Sequence, residues 1–386
     1  MKIVMFSDSF EPSVDGVVTQ IKNMVCEFTK NGHSVFLVAP SHLFEYKQVE
    51  KYGAKIFLLP SISLPSYKDY KISSFFSFKV MNVVSEFNPD VIHVHTPFSC
   101  GLFGVICAKR FHKPLVGTYH TLIPDFLVYL PLPLLNKTDF AKKLAWFYTK
   151  HFYNKCNVVT VPSISLSNEL SLHGFNNLVF FPNSIDFEKF NKFAKSSYFS
   201  NSFRLVYFGR IGFEKNIDVV IRALGVLRNK GVNANLSIIG FGPAEYSLKS
   251  LVSELCLSSF VSFLGSLPHD ALPFVVSNHD VFVTASTIET QCLALIEAMA
   301  LGLPCVGANA RAIPEAITDG ETGFLFAPGD FQECAEKLFV LARSKKLREK
   351  FGKAGIAYAK NFSIEKTYEK NIEIYNKVLK DFYEKA

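Results

Sequence analysis

Two glutamates, Glu289 and Glu297, stand eight positions apart in "TIETQCLALIEAMALGLPCVG", residues 287 to 307. From Cys292 to Leu303 this segment is apolar except for Glu297 and Gly302. Burying an unpaired carboxylate is costly, so Glu297 must face a partner. That partner is either an Arg or Lys side chain or a ligand. Carboxylate oxygens accept hydrogen bonds, which suits them to hydroxyl-rich ligands. Upstream, "FGRIGFEKN" brings Arg210 and Lys215 into one short loop. A guanidinium fork beside an ammonium suits a diphosphate, although a solvated basic loop would look the same in isolation. Thr290, Gln291 and Cys292 fall where a helix begins, with free N–H groups that favour phosphate. In "IIGFGPAE", Gly240 and Gly242 permit close backbone approach, to a base or ribose. Ribose, diphosphate and hexose together describe a nucleotide sugar.

The N-terminal half offers fewer chemical groups. "SDSFEPSVDGVVTQI" is not a GxGxxG fingerprint, but Asp15-Gly16 opens a helix whose first amides could meet phosphate. "GTYHT" puts His120 at the end of an apolar run, and "DVIHVHT" does the same for His95, with His93 deeper and read as a core residue. A lone histidine is more often structural than catalytic, so these positions carry weight only in combination.

These residues need strands to hold them. "KIVMF", "HSVFLVA", "KIFLLP", "DVIHVH", "PLVGTY" and "NVVTVP" read as strands of one parallel sheet, being nearly continuous apolar runs. The pattern restarts with "RLVYFG", "NLSIIG", "FVSFLG", "DVFVTA" and "PCVGA". Helical stretches such as 17–30 and 75–87 lie between the runs. Two βα series predict an α/β chain of two doubly wound, Rossmann-like domains, 1–183 and 184–362, with the boundary near "FPNSIDFEKFNKF". Ligands of such sheets sit beyond the strands' carboxyl ends, so two facing domains would place the site in the cleft between them. The closing helix, 363–386, either stays solvated or packs back on the first domain.

Composition narrows the function classes. Hydrophobic residues make up 49% and charged residues 19% of the 386, which argues against disorder. The sequence shows no signal peptide and no apolar stretch long enough to span a membrane; "FLVYLPLPLL" from Phe126 is short and broken by prolines. Eight scattered cysteines show no metal-ligand spacing and read as free thiols in a reducing compartment. The net charge of +7 is concentrated in the N-terminal half, where 105–155 carries eight basic and two acidic residues. An anionic partner follows, such as a membrane surface or a phosphate-bearing substrate. No motif supports nucleic acid. Residues 138–154 predict an amphipathic helix with Phe140, Leu144, Phe147, Tyr148 and Phe152 on one face. Lys142, Lys143, Trp146, Lys150 and Tyr153 share the other, outward face. Tryptophan among lysines would mark an interfacial helix, unless a neighbouring loop covers the indole. "SLPSYKDYKISSFFSFK" from Ser63 also mixes basic and aromatic residues.

Taken together, "GR" at 209–210, "EK" at 214–215 and the E-x7-E pair resemble the retaining glycosyltransferases with the GT-B fold. That family includes sucrose synthases, phosphatidylinositol mannosyltransferases and bacterial diacylglycerol glucosyltransferases. "FSDSFEPSVDGV", "DVIHVHTPF", "GTYHT" and "ETQ" resemble the lipid glucosyltransferase branch in particular. The resemblance implies that the first domain, completed by 363–386, takes the acceptor and the second takes the donor. It implies that Arg210 and Lys215 hold the donor diphosphate, Glu297 the ribose and Glu289 the hexose hydroxyls. His120 would lie beside the reacting sugar, and Gly16 near the phosphates. The expected reaction is transfer of a hexose, glucose from a UDP-sugar, to a lipid such as diacylglycerol. It would take place at the inner face of an anionic cell membrane, with no cofactor or metal. Two departures bear on the donor: Cys292 and Ser184 stand at usual glycine positions. Alternatives are a soluble saccharide or small-molecule acceptor, a nucleotide-sugar epimerase, or a catalytically silent binding subunit.

Overall fold

The computed structural model describes residues 1–13, 15–41, 44–64, 67–74, 76–126, 138–198 and 202–384, with the side chains of 63–64, 67–70 and 72 also outside the description. The apolar run beyond Phe126 therefore lies outside the described residues, as do residues 65, 66 and 75 of the basic–aromatic stretch from Ser63. The chain divides into one unit of Met1–Ser184 with Ile364–Ala386 and a second of Ile185–Ser363.

In the first unit the strands are β1 (Lys2–Phe6), β2 (Ser34–Pro40), β3 (Lys47–Lys51), β4 (Ala54–Leu59), β5 (Ser61–Leu64), β6 (Tyr67–Ser73), β7 (Val91–Val94), β8 (Leu115–Thr118), β9 (Val158–Val161) and β10 (Leu178–Phe180). Eight of them form a sheet in the order β10-β9-β8-β7-β1-β2-β4-β3, while β5 and β6 make a separate antiparallel hairpin. The six expected strands are present and parallel. One expectation is corrected: the sheet is not wholly parallel, because β3 runs antiparallel to β4 at the edge. Its sequence, KQVEK, holds a single apolar residue and mostly exposed side chains, so it leaves no apolar run to detect. Alternation divides the core. Val4 and Phe6 of β1 pack with Val94 and Phe103 on one face, and Ile3 and Met5 pack with Met24, Phe28 and Tyr375 on the other.

Asp8, just past β1, is fully buried and caps the helix Ser99–Phe111 from outside it. Its carboxylate accepts from Ser99 Oγ and Thr96 Oγ1, each at 2.7 Å, and from the Cys100 and Gly101 amides at 2.7 and 3.4 Å. Burial pushes its pKa up against the pull of these donors. Gly101 allows the close approach, since a Cβ there would lie 1.7 Å from the Thr96 carbonyl oxygen. The C-terminal helix Ile364–Tyr383 belongs to this unit. It stacks Tyr375 on Phe28 with ring centroids 5.6 Å apart and places the Tyr368 hydroxyl 2.9 Å from His33 Nε2.

The second unit holds β11 (Phe203–Phe208), β12 (Ala234–Ile239), β13 (Val261–Gly265), β14 (Val281–Thr284), β15 (Cys305–Ala308) and β16 (Gly323–Phe326). They form one parallel sheet in the order β13-β12-β11-β14-β15-β16, with the order reversing at β11 as a doubly wound sheet requires.

The amphipathic helix is Asp139–Tyr153, and its orientation corrects the expectation. Ala145, Thr149, Phe152 and Tyr153 face the core. Phe140, Leu144 and Phe147 are instead exposed, at 70%, 56% and 68%. Trp146 is half-buried, its ring stacked on His173 at 3.6 Å and set edge-on to Phe175. Small side chains decide this. Ala145 and Thr149 let the helix backbone approach the core, with the Thr149 hydroxyl donating to the Ala145 carbonyl at 2.8 Å. An apolar count on a helical wheel undervalues both residues. Trp146→Ala should therefore cost about 2 kcal/mol of stability, whereas Phe147→Ala should leave the melting temperature within about a degree, a surface change. Thermal unfolding followed by circular dichroism measures both.

Candidate active site

The candidate residues fall in two groups, one in each unit. In the second unit they occupy loops after β11, β12 and β14. Lys215 Nζ donates to Glu289 Oε1 at 2.7 Å, both side chains largely buried. Burial pulls the Lys215 ammonium towards its neutral form, but Glu289, Cys292 and Glu214 outweigh it, and the pKa ends above the ordinary lysine value. Arg210 Nη1 donates to Glu214 Oε1 at 2.9 Å. The two cations thus stand in one loop, each already engaged by a carboxylate.

The loops are fixed by groups that the sequence reading missed. Asn216 adopts φ 49°, and its Nδ2 donates to the Ala285 carbonyl at 3.2 Å and Thr287 Oγ1 at 3.3 Å. That clip joins the β11 loop to the β14 loop and so sets Lys215 against Glu289. Its signal was an asparagine, a residue tolerant of positive φ, directly after "FEK". The buried Tyr207 hydroxyl donates to the Arg210 carbonyl at 2.8 Å.

Gly240 and Gly242 have a local explanation. A Cβ at Gly240, where φ is +134°, would lie 1.9 Å from the Gly209 carbonyl oxygen; one at Gly242 would lie 2.3 Å from that of Ile211. The close approach is between the β11 and β12 loops of this chain, which also exchange hydrogen bonds through Ile211 and Phe241.

The helix expected near Gln291 runs Leu293–Ala300, with Cys292 as its cap residue at φ 59°. The left-handed backbone explains why glycine would suit this position. Glu297 is therefore little more than one turn into the helix. Among the described residues its charged partner is His269, whose Nε2 stands 3.7 Å from Glu297 Oε1. His269 Nδ1 in turn accepts from Lys189 Nζ at 2.9 Å. Thr290 and Gln291 lie in the turn before this helix, with Gln291 buried.

In the first unit, Gly16 is the first residue of the helix Gly16–Lys30, and the Asp15 carboxylate caps it by accepting from the Val18 amide at 2.8 Å. Glu11 anchors the preceding loop: Lys22 lies at 2.8 Å, the Tyr52 hydroxyl donates at 2.5 Å, and Lys51 also pairs with it. These donors outweigh the burial of Glu11, whose pKa drops to about 2.

His93, His95 and His120 form a stacked, buried series, with ring centroids 4.1 and 5.4 Å apart. His93 Nδ1 lies 2.6 Å from the Tyr375 hydroxyl and its Nε2 lies 2.7 Å from Thr118 Oγ1. His95 Nδ1 lies 3.1 Å from His120 Nε2. Burial holds His93 and His120 at about 3 and drives His95 well down, so all three rings are neutral at ordinary pH. Lys142, Lys143 and Lys150 are exposed on the helix Asp139–Tyr153.

Among the described residues, no group of three His, Cys, Asp or Glu side chains is placed to hold a metal ion, and no helix is long and apolar enough to cross a membrane. Because the β11 and β12 loops approach so closely at Gly240, Gly240→Ala should destabilise the second unit by about 3 kcal/mol or more. Gly320→Ala, also at positive φ but with nothing within 4 Å of the new Cβ, should cost only about 1 kcal/mol. Urea unfolding of the two variants provides the comparison.

A family model for glycosyl transferases group 1 matches residues 188–358, and one for glycosyltransferase family 4 matches 14–189. The sulfoquinovosyl transferase SQD2 of Arabidopsis thaliana is 31% identical over 365 residues, covering 89% of this chain and 68% of that protein. An alpha-monoglucosyldiacylglycerol synthase of Streptococcus pneumoniae is 26% identical, covering 99% of this chain and 85% of that one. A solved sucrose-phosphate synthase from Thermosynechococcus elongatus superposes with a TM-score of 0.80 at 17% identity, over 98% of this chain and 99% of that one. That likeness shows a shared GT-B fold.

Proposed function

The chain belongs to the group 1 glycosyl transferases, and we propose that within this family it moves a hexose, glucose from UDP-glucose, onto a diacylglycerol-type lipid with retention of anomeric configuration. The observation that carries the donor half is the Lys215–Glu289 pair at strand ends of the second unit. Lys215 and Arg210 take the diphosphate, which replaces Glu289 and Glu214 as the counter-charge. Glu289, released from Lys215, accepts from hexose hydroxyls, and Glu297 accepts from the ribose. His120 of the first unit serves the reacting sugar, and the helix start at Gly16 serves the phosphates.

In the transfer step, the bond between the anomeric carbon and the β-phosphate oxygen breaks. The acceptor oxygen forms its bond to that carbon on the same face. The acceptor's proton passes to the departing phosphate, whose negative charge Arg210 and Lys215 stabilise. Loss of one such preorganised contact typically lowers kcat by about 10²–10³-fold.

The lipid half rests on the helix Asp139–Tyr153. Phe140, Leu144 and Phe147 form an exposed apolar stripe, with the exposed Lys143 and Lys150 along one flank. Apolar side chains enter the headgroup boundary while each flanking lysine gains about 1 kcal/mol near an anionic surface. A peripheral enzyme on the cytoplasmic face of the membrane follows from this reading. The named acceptor chemistry of the Streptococcus pneumoniae relative supports a lipid product.

The test is a panel of UDP-glucose, UDP-galactose and GDP-mannose offered with diacylglycerol in anionic vesicles or with soluble saccharides. Products are read by mass and anomeric configuration. We expect an α-glucosyl lipid, reduced about 100-fold in Lys215→Ala. Transfer only to soluble acceptors would overturn the lipid assignment. In co-sedimentation, Leu144→Glu with Phe147→Glu should abolish vesicle binding, and Lys143→Glu with Lys150→Glu should weaken it mainly at low salt, where charges are least screened. Vesicle binding that survives both pairs would remove the helix from the account.

A further inference from the structure

We propose that His95 is a positioning residue that fixes His120 as the tautomer carrying its proton on Nδ1, so that His120 presents an N–H donor rather than a base. The proposal rests on the sugar-transfer reading above for its functional meaning, but its geometry is independent of it.

The argument follows the hydrogen bonds. Thr160 Oγ1 donates to the Gly117 carbonyl at 3.3 Å, which uses its only proton. It must then accept from Thr118 Oγ1 at 2.7 Å, and Thr118 must accept from His93 Nε2 at 2.7 Å. His93 therefore carries its proton on Nε2, and its Nδ1 accepts from the Tyr375 hydroxyl, whose buried phenol stays protonated. This chain, which starts on the C-terminal helix, locks the His93 ring. His95 lies against that ring, with centroids 4.1 Å apart and planes 29° from parallel.

His95 Nδ1 and His120 Nε2 face each other at 3.1 Å. With both rings neutral, one of these two nitrogens carries a proton. The other nitrogen of His95, Nε2, is buried and has no hydrogen-bond partner among the described residues. An orphaned buried N–H is rarer in proteins than an orphaned lone pair. The His95 proton therefore belongs on Nδ1, donated to His120 Nε2, and a neutral His120 then holds its own proton on Nδ1. The backbone holds the His95 ring in position, since its amide donates to the Phe6 carbonyl at 2.9 Å, extending the pairing of β7 with β1.

Functionally, a donor at Nδ1 would hold a sugar oxygen and could not remove a proton. This agrees with a step in which the departing phosphate takes the acceptor's proton. His93 was read from the sequence as a core residue; here it supports His95, which supports His120.

The experiment uses the full-length protein labelled with 15N-histidine, and long-range 1H–15N spectra at neutral pH, with His120 assigned by its loss in His120→Gln. We expect His120 protonated on Nδ1 in the wild type and altered in His95→Phe. His95→Asn, whose amide N–H can take the place of the ring N–H, should restore it. In steady-state kinetics, His95→Phe should lower kcat by about tenfold or more with donor KM within about twofold, and His95→Asn should recover most of the loss. A wild-type His120 protonated on Nε2, or a His95→Phe variant with unchanged kcat, would overturn the proposal. A wild type that transfers no sugar to any acceptor would instead sink the sugar-transfer reading, and the spectra would still decide the tautomer.

Discussion

Lys215 and Glu289 come from loops that follow different strands of one sheet, and their 2.7 Å contact ties those loops together. Breaking such a largely buried pair by removing one partner typically costs about 3–5 kcal/mol. The contact keeps an ammonium charged in a buried place before any ligand arrives. Asn216 backs it by bonding across the same two loops, Gly240 and Gly242 let the β12 loop press against the β11 loop, and Cys292 bends left-handed to start the helix that carries Glu297. Each of these local choices is explicable as support for one charged pair. In the proposed reading, a diphosphate would take over as counter-ion to an ammonium already held charged and in place.

The first unit solves a different problem. Its polar centre is neutral: three buried histidines, two threonines and a tyrosine joined by hydrogen bonds and stacking. The carboxylate of Asp8, fully buried in this unit, accepts from four donors around a helix start. Neutral donors can discriminate hydroxyl geometry without holding a permanent charge. The C-terminal helix enters this centre through Tyr375, so the last segment of the chain helps to set the chemistry of residues near its start.

Much of the architecture was legible because fully covered parallel strands leave nearly unbroken apolar runs. The eleven runs read from the sequence all became strands in sheets of the expected class. What escaped was the edge strand KQVEK, with one apolar residue, the hairpin strands at 61–64 and 67–73, and the apolar segments at 178–180 and 323–326, which are only three and four residues long. The amphipathic helix was legible as a helix but not in its orientation, because Ala145 and Thr149 mark the buried side by smallness, not apolarity. At the site, residue types and spacing pointed to Arg210, Lys215, Glu289 and Glu297. They could not show that both cations are held by carboxylates, nor that His269 is the neighbour of Glu297. Lys215–Glu289 and His269–Glu297 join segments distant in the chain that only folding brings together, and the local Arg210–Glu214 pair depends on the turn its loop adopts.

The most direct test of the central claim is calorimetric titration of UDP, with GDP in parallel, into the wild type, Lys215→Ala and Glu289→Gln. If Lys215 is the diphosphate's ligand and Glu289 its resting counter-charge, Lys215→Ala should weaken binding by about tenfold or more, the loss of one charge-assisted contact. Glu289→Gln should bind the nucleoside diphosphate at least as tightly as the wild type, because it frees the ammonium. Equal weakening in both variants, or no change in either, would contradict the account.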